Sequence, residues 1–237
     1  MNYYSQDRQD EFLHKVFFKG KRDGFFVDIG AHNGVTFSNS CFFEKKMGWN
    51  GLCIEPIPEV FADLKKVRSC YAENVCVSDE EKDFSFTRIS GYGEMLSGIT
   101  EQYDHRHLER IQKTIAQNGG AVEEIKVKGV RLDSLLKKYS IQQIEFLSVD
   151  TEGNEWPIIS TLPFDMVQPK LILVENNYND NRIKDFLISK GYRLCINLTD
   201  DIFHLGKLTT GEKIRLFLFR LDRYLNYKFR TLKRRGK

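Results

Sequence analysis

The sequence predicts an α/β domain on a mostly parallel, Rossmann-like sheet with helices on both faces. Three observations carry this. Short apolar runs at 25–29, 51–55, 144–149 and 170–174 alternate with segments of helical period. Each run ends in or near an acid: Asp28, Glu55, Asp150 and Glu175. The first run leads into the glycine-bounded turn Gly30-Ala31-His32-Asn33-Gly34, which offers backbone N–H groups at a strand's carboxyl end. In open parallel sheets ligands bind beyond those ends, so the four acids are expected along one edge.

The elements follow in order. Phe12, Leu13, Val16 and Phe17 predict a leading helix over 6–19. After the strand at 25–29, Val35–Met47 reads as a helix stopped by Gly48. A second strand spans 51–55, and Pro58 opens a helix running to Val67. Val75–Val77 is the expected third strand. The alternation then breaks. Asp83–Arg88 reads as an exposed strand, and the polar, glycine-containing stretch 90–120 centres on a helix near 103–114. Glu124–Val130 reads as a strand and Leu132–Tyr139 as a helix. An insertion of about 84–130 over the active face is therefore expected. The rhythm resumes with strands at 144–149 and 170–174 and helices near 155–161 and 180–190. Tyr192–Ile196 and Ile202–Leu205 pair as closing strands.

Composition narrows the classes. At 237 residues, 41% hydrophobic and with 18 Phe, the chain suits one α/β domain over 1–210 with a tail over 211–237. The tail holds ten Lys/Arg and two acids, net +8, which leaves 26 bases and 31 acids in 1–210, net −5. An acidic main domain disfavours nucleic acid as partner. The five scattered cysteines contain no C-x-x-C pair, so neither a zinc site nor a disulfide framework is expected. No apolar run is long enough to span a membrane, and the first residues lack a signal-like core, so a cytoplasmic location is expected. In the tail, aromatic and aliphatic residues interleave with Arg and Lys. That pattern suits peripheral contact with the inner face of an anionic membrane, or packing on the domain or in a homodimer.

The turn after the first strand has His32 where the dinucleotide fingerprint keeps its middle glycine for a pyrophosphate. This disfavours a nicotinamide oxidoreductase and suits a nucleoside cofactor without pyrophosphate, such as S-adenosylmethionine (SAM). Asp28 would face the cofactor's ammonium group, and Glu55 would accept both ribose hydroxyls. A hydroxyl acceptor is hardly ionised at neutral pH and needs a base or a metal. Asp150, Glu175 and Asn176, at two neighbouring strand ends, offer three oxygen ligands for Mg²⁺ or Mn²⁺. Asp150 and Glu152 also suit capping of the following helix. His105 and His107 are the base candidates of the insertion, two residues apart and so on different helix faces. Ser38 and Asn39 read as the start of the helix after the turn, hydrogen-bonding to ligand or cap.

The strings V-D-I-G-A-H-N-G-V-T-F-S-N-S, E-P-I-P-E-V-F-A-D-L and S-V-D-T-E-G-N-E resemble the FkbM family of SAM-dependent methyltransferases over roughly residues 5–200, as does the opening S-Q-D-R-Q-D. The resemblance implies a class I methyltransferase fold, a seven-stranded sheet with its last strand antiparallel. It implies O-methylation of a carbohydrate hydroxyl, on a nucleotide sugar or surface glycan. It also implies cofactor contacts at Asp28, Gly30, Ala31, His32, Asn33, Gly34, Glu55 and Pro56, with Val77, Ser78 and Asp79 near the adenine. Asp150, Glu152 and His105 are the expected catalytic residues. A polyketide, lipid or other small hydroxyl acceptor, and a non-catalytic module of the same fold, stand as alternatives.

Overall fold

A computed structural model describes residues 2–178 and 180–235, with side chains as far as residue 228. Lys237, part of the basic tail, lies outside the described residues, as do the side chains from Phe229 onward. The chain opens with α1 (Gln9–Phe12), which passes into one wider, π-type turn, Leu13–Phe17. The single helix expected over 6–19 is thus shorter and changes pitch. Widening the turn sends Phe12, Leu13, Val16, Phe17 and Phe18 into the core together.

Strand β1 (Phe25–Ile29) leads through the glycine turn to α2 (Cys41–Met47), followed by β2 (Asn50–Ile54), α3 (Pro58–Val67) and β3 (Tyr71–Glu73). Two expectations are corrected here. The helix begins at Cys41, not Val35. Asn33 Oδ1 accepts from the N–H groups of Val35 and Thr36, and Phe37 has φ 56°, so local side-chain bonds outcompete the helix across 35–40. The third strand of the main sheet is 71–73 rather than 75–77. β4 (Cys76–Val77) instead turns aside and pairs with the insertion.

The insertion forms a second sheet. β5 (Asp83–Ile89), β6 (Gly98–Ile99) and β7 (Val122–Val130) join β4 in the order β4-β7-β5-β6, with α4 (His105–Asn118) between β6 and β7. β5 and β7 pair antiparallel from Asp83↔Lys128 to Ile89↔Val122.

After α5 (Leu132–Lys138) come β8 (Phe146–Val149), α6 (Glu155–Ser160), β9 (Leu171–Glu175), α7 (Asn181–Ser189), β10 (Tyr192–Asn197), β11 (Asp200–Leu205) and α8 (Thr210–Arg235). The main sheet runs β10-β11-β9-β8-β1-β2-β3. It is mixed: β11 runs antiparallel to both β9 and β10, while β9, β8, β1, β2 and β3 pair in parallel. Apolar clusters cover both faces. One is built around Leu52, Leu147, Ile172 and Leu135, the other around Phe12, Phe43, Phe146 and Trp49. The apolar, two-sided burial of β1 and β8 is what a covered parallel sheet requires. The reversal from β1–β2 to β8–β9 is a switch point, and it opens a crevice at the strands' carboxyl ends.

Candidate active site

One cavity occupies that crevice, and Asp28, Glu55, Asp150 and Glu175 all line it. Its floor is the turn after β1. Gly30 has φ 83°, and a Cβ there would sit 1.7 Å from the Asp150 carbonyl oxygen, so only glycine lets the two turns touch. Ala31, His32 and Pro56 complete this wall, and Phe86, Glu94, Met95, Ser97 and Arg110 of the insertion roof it.

The half near β1 and β2 is rich in donors. Glu55 Oε2 accepts from the His32 N–H at 3.0 Å and Oε1 from the Ile57 N–H at 2.9 Å, which leaves lone pairs on both oxygens. Burial, with Glu94 nearby, pushes the Glu55 carboxyl up to about 7. Asp28 is buried and accepts from Ser40 Oγ at 2.5 Å. Burial raises its pKa, and hydrogen bonds from Ser40, Ser148 and Ser38 together with the Arg68 charge oppose the rise. Asn39 Nδ2 bridges Ser148 Oγ at 3.1 Å and Asp200 Oδ2 at 3.2 Å, while its buried Oδ1 finds no partner. His32 Nε2 meets Glu94 Oε1 at 2.7 Å.

The half near β8 and β9 is crowded with acids. Among the described residues Asp150, Glu152 and Glu175 form a group whose carboxylate oxygens lie within 4.8 Å of one another. Asp150 opens into the cavity but is ringed by protein. That desolvation, with Glu175, Asp200 and Glu155 adding like charge, holds it well above the usual carboxylate range. Burial, then Asp150, raises Glu152 to about 8, although Arg110 Nη1 stands 3.2 Å from its Oε2. Burial, then Glu152, raises Glu175 to about 8. Glu152 sits at φ 54°, in the left-handed region, within the turn D-T-E-G. Glu155 holds that turn: its Oε1 accepts from the N–H groups of Thr151 and Gly153 and from Thr151 Oγ1. Glu155 is thus structural.

Several expected site residues lie elsewhere. Asn176, expected as a metal ligand, lines a side cavity with Glu152 and Glu175 and also ties the turn before α7. Its Oδ1 accepts from the Asp180 N–H at 2.8 Å and its Nδ2 donates to Asp201, so its oxygen is committed to the turn before α7. Glu152 joins Asp150 and Glu175 in the acidic group. His105 is corrected as a base: its side chain is 78% exposed beside Asp104, on the outside of α4. His107, about 200° round the helix, turns inward. It stacks on Tyr103, its Nε2 donates to the Leu96 carbonyl at 3.0 Å, and its Nδ1 lies 3.5 Å from Glu152. Burial lowers its pKa, which favours the neutral ring. Asn33 and Gly34 shape the turn without lining the cavity, and Gly34 packs on Arg68. Val77 lines a smaller apolar pocket with Gly30, Ile54, Pro56, Phe86 and Ile99. Ser78 and Asp79 lie outside both pockets, and Ser78 Oγ donates to Asp79.

The structure also adds residues that the sequence left unmarked. Because β11 is antiparallel, its first residue shares the rim with the last residues of the parallel strands, and Asp200 pairs with Glu175. Burial raises Asp200 to about 6. Gln6 and Gln9 of the opening segment, and Arg110 of α4, reach the same cavity. The doublet Asp200-Asp201 was the available signal, but it gains meaning only once the strand direction is known.

Acids from several strand ends around a switch-point crevice define an α/β ligand-binding protein of the Rossmann-like class. Within that class the family model of the methyltransferase FkbM domain matches residues 28–229. The chain belongs to that family and is a methyltransferase, a kind of enzyme whose typical methyl donor is SAM. No curated protein and no solved structure matches the chain.

Proposed function

We propose that the chain is a SAM-dependent O-methyltransferase acting on a carbohydrate hydroxyl, as a nucleotide sugar or a surface glycan. The observation that carries this is the division of one cavity into a donor-supported half and an acid-crowded half. Glu55, with a lone pair left on each oxygen, would accept the ribose hydroxyls, and Asp28 would face the ammonium group. The apolar side chains of Ile54, Val77, Phe86 and Ile99, beside Gly30, would flank the adenine ring once their narrow pocket widens. Bound there, SAM would supply an electrophilic methyl group.

The acid-crowded half suits the acceptor. Asp150, raised first by burial and then by its acidic neighbours, would take the proton of a hydroxyl as the methyl carbon exchanges its bond to the SAM sulfur for one to oxygen, leaving S-adenosylhomocysteine. Three crowded carboxylates also fit Mg²⁺ or Mn²⁺, hard cations that prefer oxygen ligands. Asp150, Glu152 and Glu175 would hold such an ion, which would lower the cost of ionising the hydroxyl. A second cavity shares Glu152 and Glu175 with the acidic group and is lined by Tyr103, Trp156, Asn177 and Tyr178. Aromatic faces beside amide and carboxylate groups suit a hydroxyl-rich ring and support a sugar over a wholly apolar acceptor.

Two measurements test this. Isothermal titration should show SAM binding; its absence would leave the non-catalytic module. A panel of nucleotide sugars and polyketide alcohols, followed by S-adenosylhomocysteine release, separates the acceptor classes. Turnover with the polyketides alone would overturn the carbohydrate assignment.

A further inference from the structure

The last helix has two faces, and the fold uses one. α8 packs on the protein through Leu216 and Phe219, both buried. Arg215 Nε donates to the Val16 carbonyl at 2.6 Å, Arg220 to the Cys195 carbonyl, and Arg223 to Asp7 at 2.9 Å. Arg8 pairs with Asp222 at 2.6 Å and lies over the Phe219 ring. These contacts gather on one side of the helix. On the other side stand Ile214, Phe217, Leu218, Leu221, Tyr224 and Leu225, each between 42% and 65% exposed. Their spacing of three and four residues makes one continuous apolar stripe. A contiguous exposed patch of this kind marks an interaction surface.

Charge selects the occupant. The segment 211–237 carries ten Lys/Arg against two acids; Arg215, Arg220 and Arg223 are turned to the protein, which leaves seven, while the acids Asp222 and Glu212 are already paired with Arg8 and Lys170. A second copy laid against the stripe would bring the same excess of positive charge beside it. An anionic bilayer offers apolar chains for the stripe and negative headgroups for the basic residues. We propose that α8 rests on an anionic membrane surface, with the Ile214–Leu225 stripe at the boundary between headgroups and acyl chains. No helix among the described residues is long and apolar enough to cross a membrane, so this contact lies along the surface. The arrangement has a consequence for the cavity. Asp7 and Arg8, both gripped by α8, are flanked by Gln6 and Gln9, which line the acid cavity. The docking helix is therefore tied directly to the cavity wall. The inference holds whether or not the carbohydrate assignment does.

Co-sedimentation of the full chain with phosphatidylcholine vesicles, with and without phosphatidylglycerol, tests it. Binding to the anionic vesicles should fall by about tenfold when phosphatidylglycerol is omitted or salt is raised. The double variant Phe217→Ser, Leu221→Ser should lose about tenfold in partitioning and keep the wild-type melting temperature, since both side chains are exposed. As a check that does not depend on that variant folding, Phe217→Trp should show a blue-shifted emission on anionic vesicles. Absence of wild-type binding, an unmoved Trp spectrum, or equal binding by the double variant would overturn the proposal. So would a dimer in sedimentation equilibrium that the double variant dissociates, which would assign the stripe to a second copy.

Discussion

Glu55, at the end of β2, and Asp150, at the end of β8, occupy equivalent places on the sheet edge, yet their surroundings are opposite. Each Glu55 oxygen already accepts one backbone N–H, and the acid that acts on it is Glu94 of the insertion. Asp150 faces Glu152 and Glu175 across less than 4.8 Å. The same functional group, delivered by the same topology, would in the proposed function accept hydrogen bonds from neutral hydroxyls in one place and receive a proton or a cation in the other. Partners, not residue type, set the role.

The sharpest way to break this comparison is to separate the two halves. Gly30→Ala places a Cβ against the Asp150 carbonyl at a φ of 83°. The variant should lose about 4 kcal/mol or more, or fail to fold, by urea titration. A variant with near-native stability would mean that the two turns are not locked together.

Asp150→Asn acts on the acidic half alone. Turnover should fall by about 10² to 10⁴, while SAM affinity by calorimetry stays within about threefold. Mn²⁺ binding by paramagnetic resonance should weaken in the same variant, and EDTA should reduce wild-type turnover. Wild-type turnover from Asp150→Asn would remove the assigned base.

Glu55→Gln acts on the donor-supported half. SAM binding should weaken by about 1–3 kcal/mol through lost charged hydrogen bonds. Stability should move the other way. The folded carboxyl is raised from 4.5 to about 7, so ionising it costs folding energy as pH rises from 4.5 through 7. Gln removes that pH-dependent cost, although its amide nitrogen must face one of the two backbone N–H groups, so between pH 5 and 8 the ligand-free variant should lose less stability than wild type, by up to about 3 kcal/mol. Wild-type SAM affinity should rise as pH climbs through 7, because the ionised form accepts the ribose. A flat pH profile would contradict the role given to Glu55.

The smallest effect separates the two histidines. His105→Ala should change turnover by less than about twofold, as expected for an exposed side chain. His107→Ala should cost about 1–3 kcal/mol by emptying the buried space against Tyr103 and leaving the Leu96 carbonyl with the Tyr103 hydroxyl as its one side-chain donor. A large loss of turnover from His105→Ala with unchanged stability would return it to the active site.

Much of the site was legible because strand ends and glycine turns are local signals. Asp28, Gly30, Glu55, Asp150 and Glu175 each follow or close an apolar run, and topology carries such residues to one edge. The hydrogen bond from the Asp180 N–H to the Asn176 oxygen was not legible, because it depends on how the chain turns into α7. The choice between His105 and His107 was not legible, because it depends on which side of α4 meets Tyr103 and Leu96. Val75–Val77 looked like a strand of the main sheet because its apolar run fits any buried pairing. Only the position of β7 assigns 76–77 to the second sheet.

The sequence by itself determined the α/β alternation, the strand-end acids, the glycine-bounded turn after the first strand and the excess of charge in the tail. Each follows from residue chemistry within a few positions of the chain. Tertiary structure alone decided that Glu152 joins Asp150 and Glu175, that Asp200 and Gln9 reach the same cavity, and which face of α8 stays open. These are contacts between segments distant in the chain, set by strand direction and packing, and no local pattern records them.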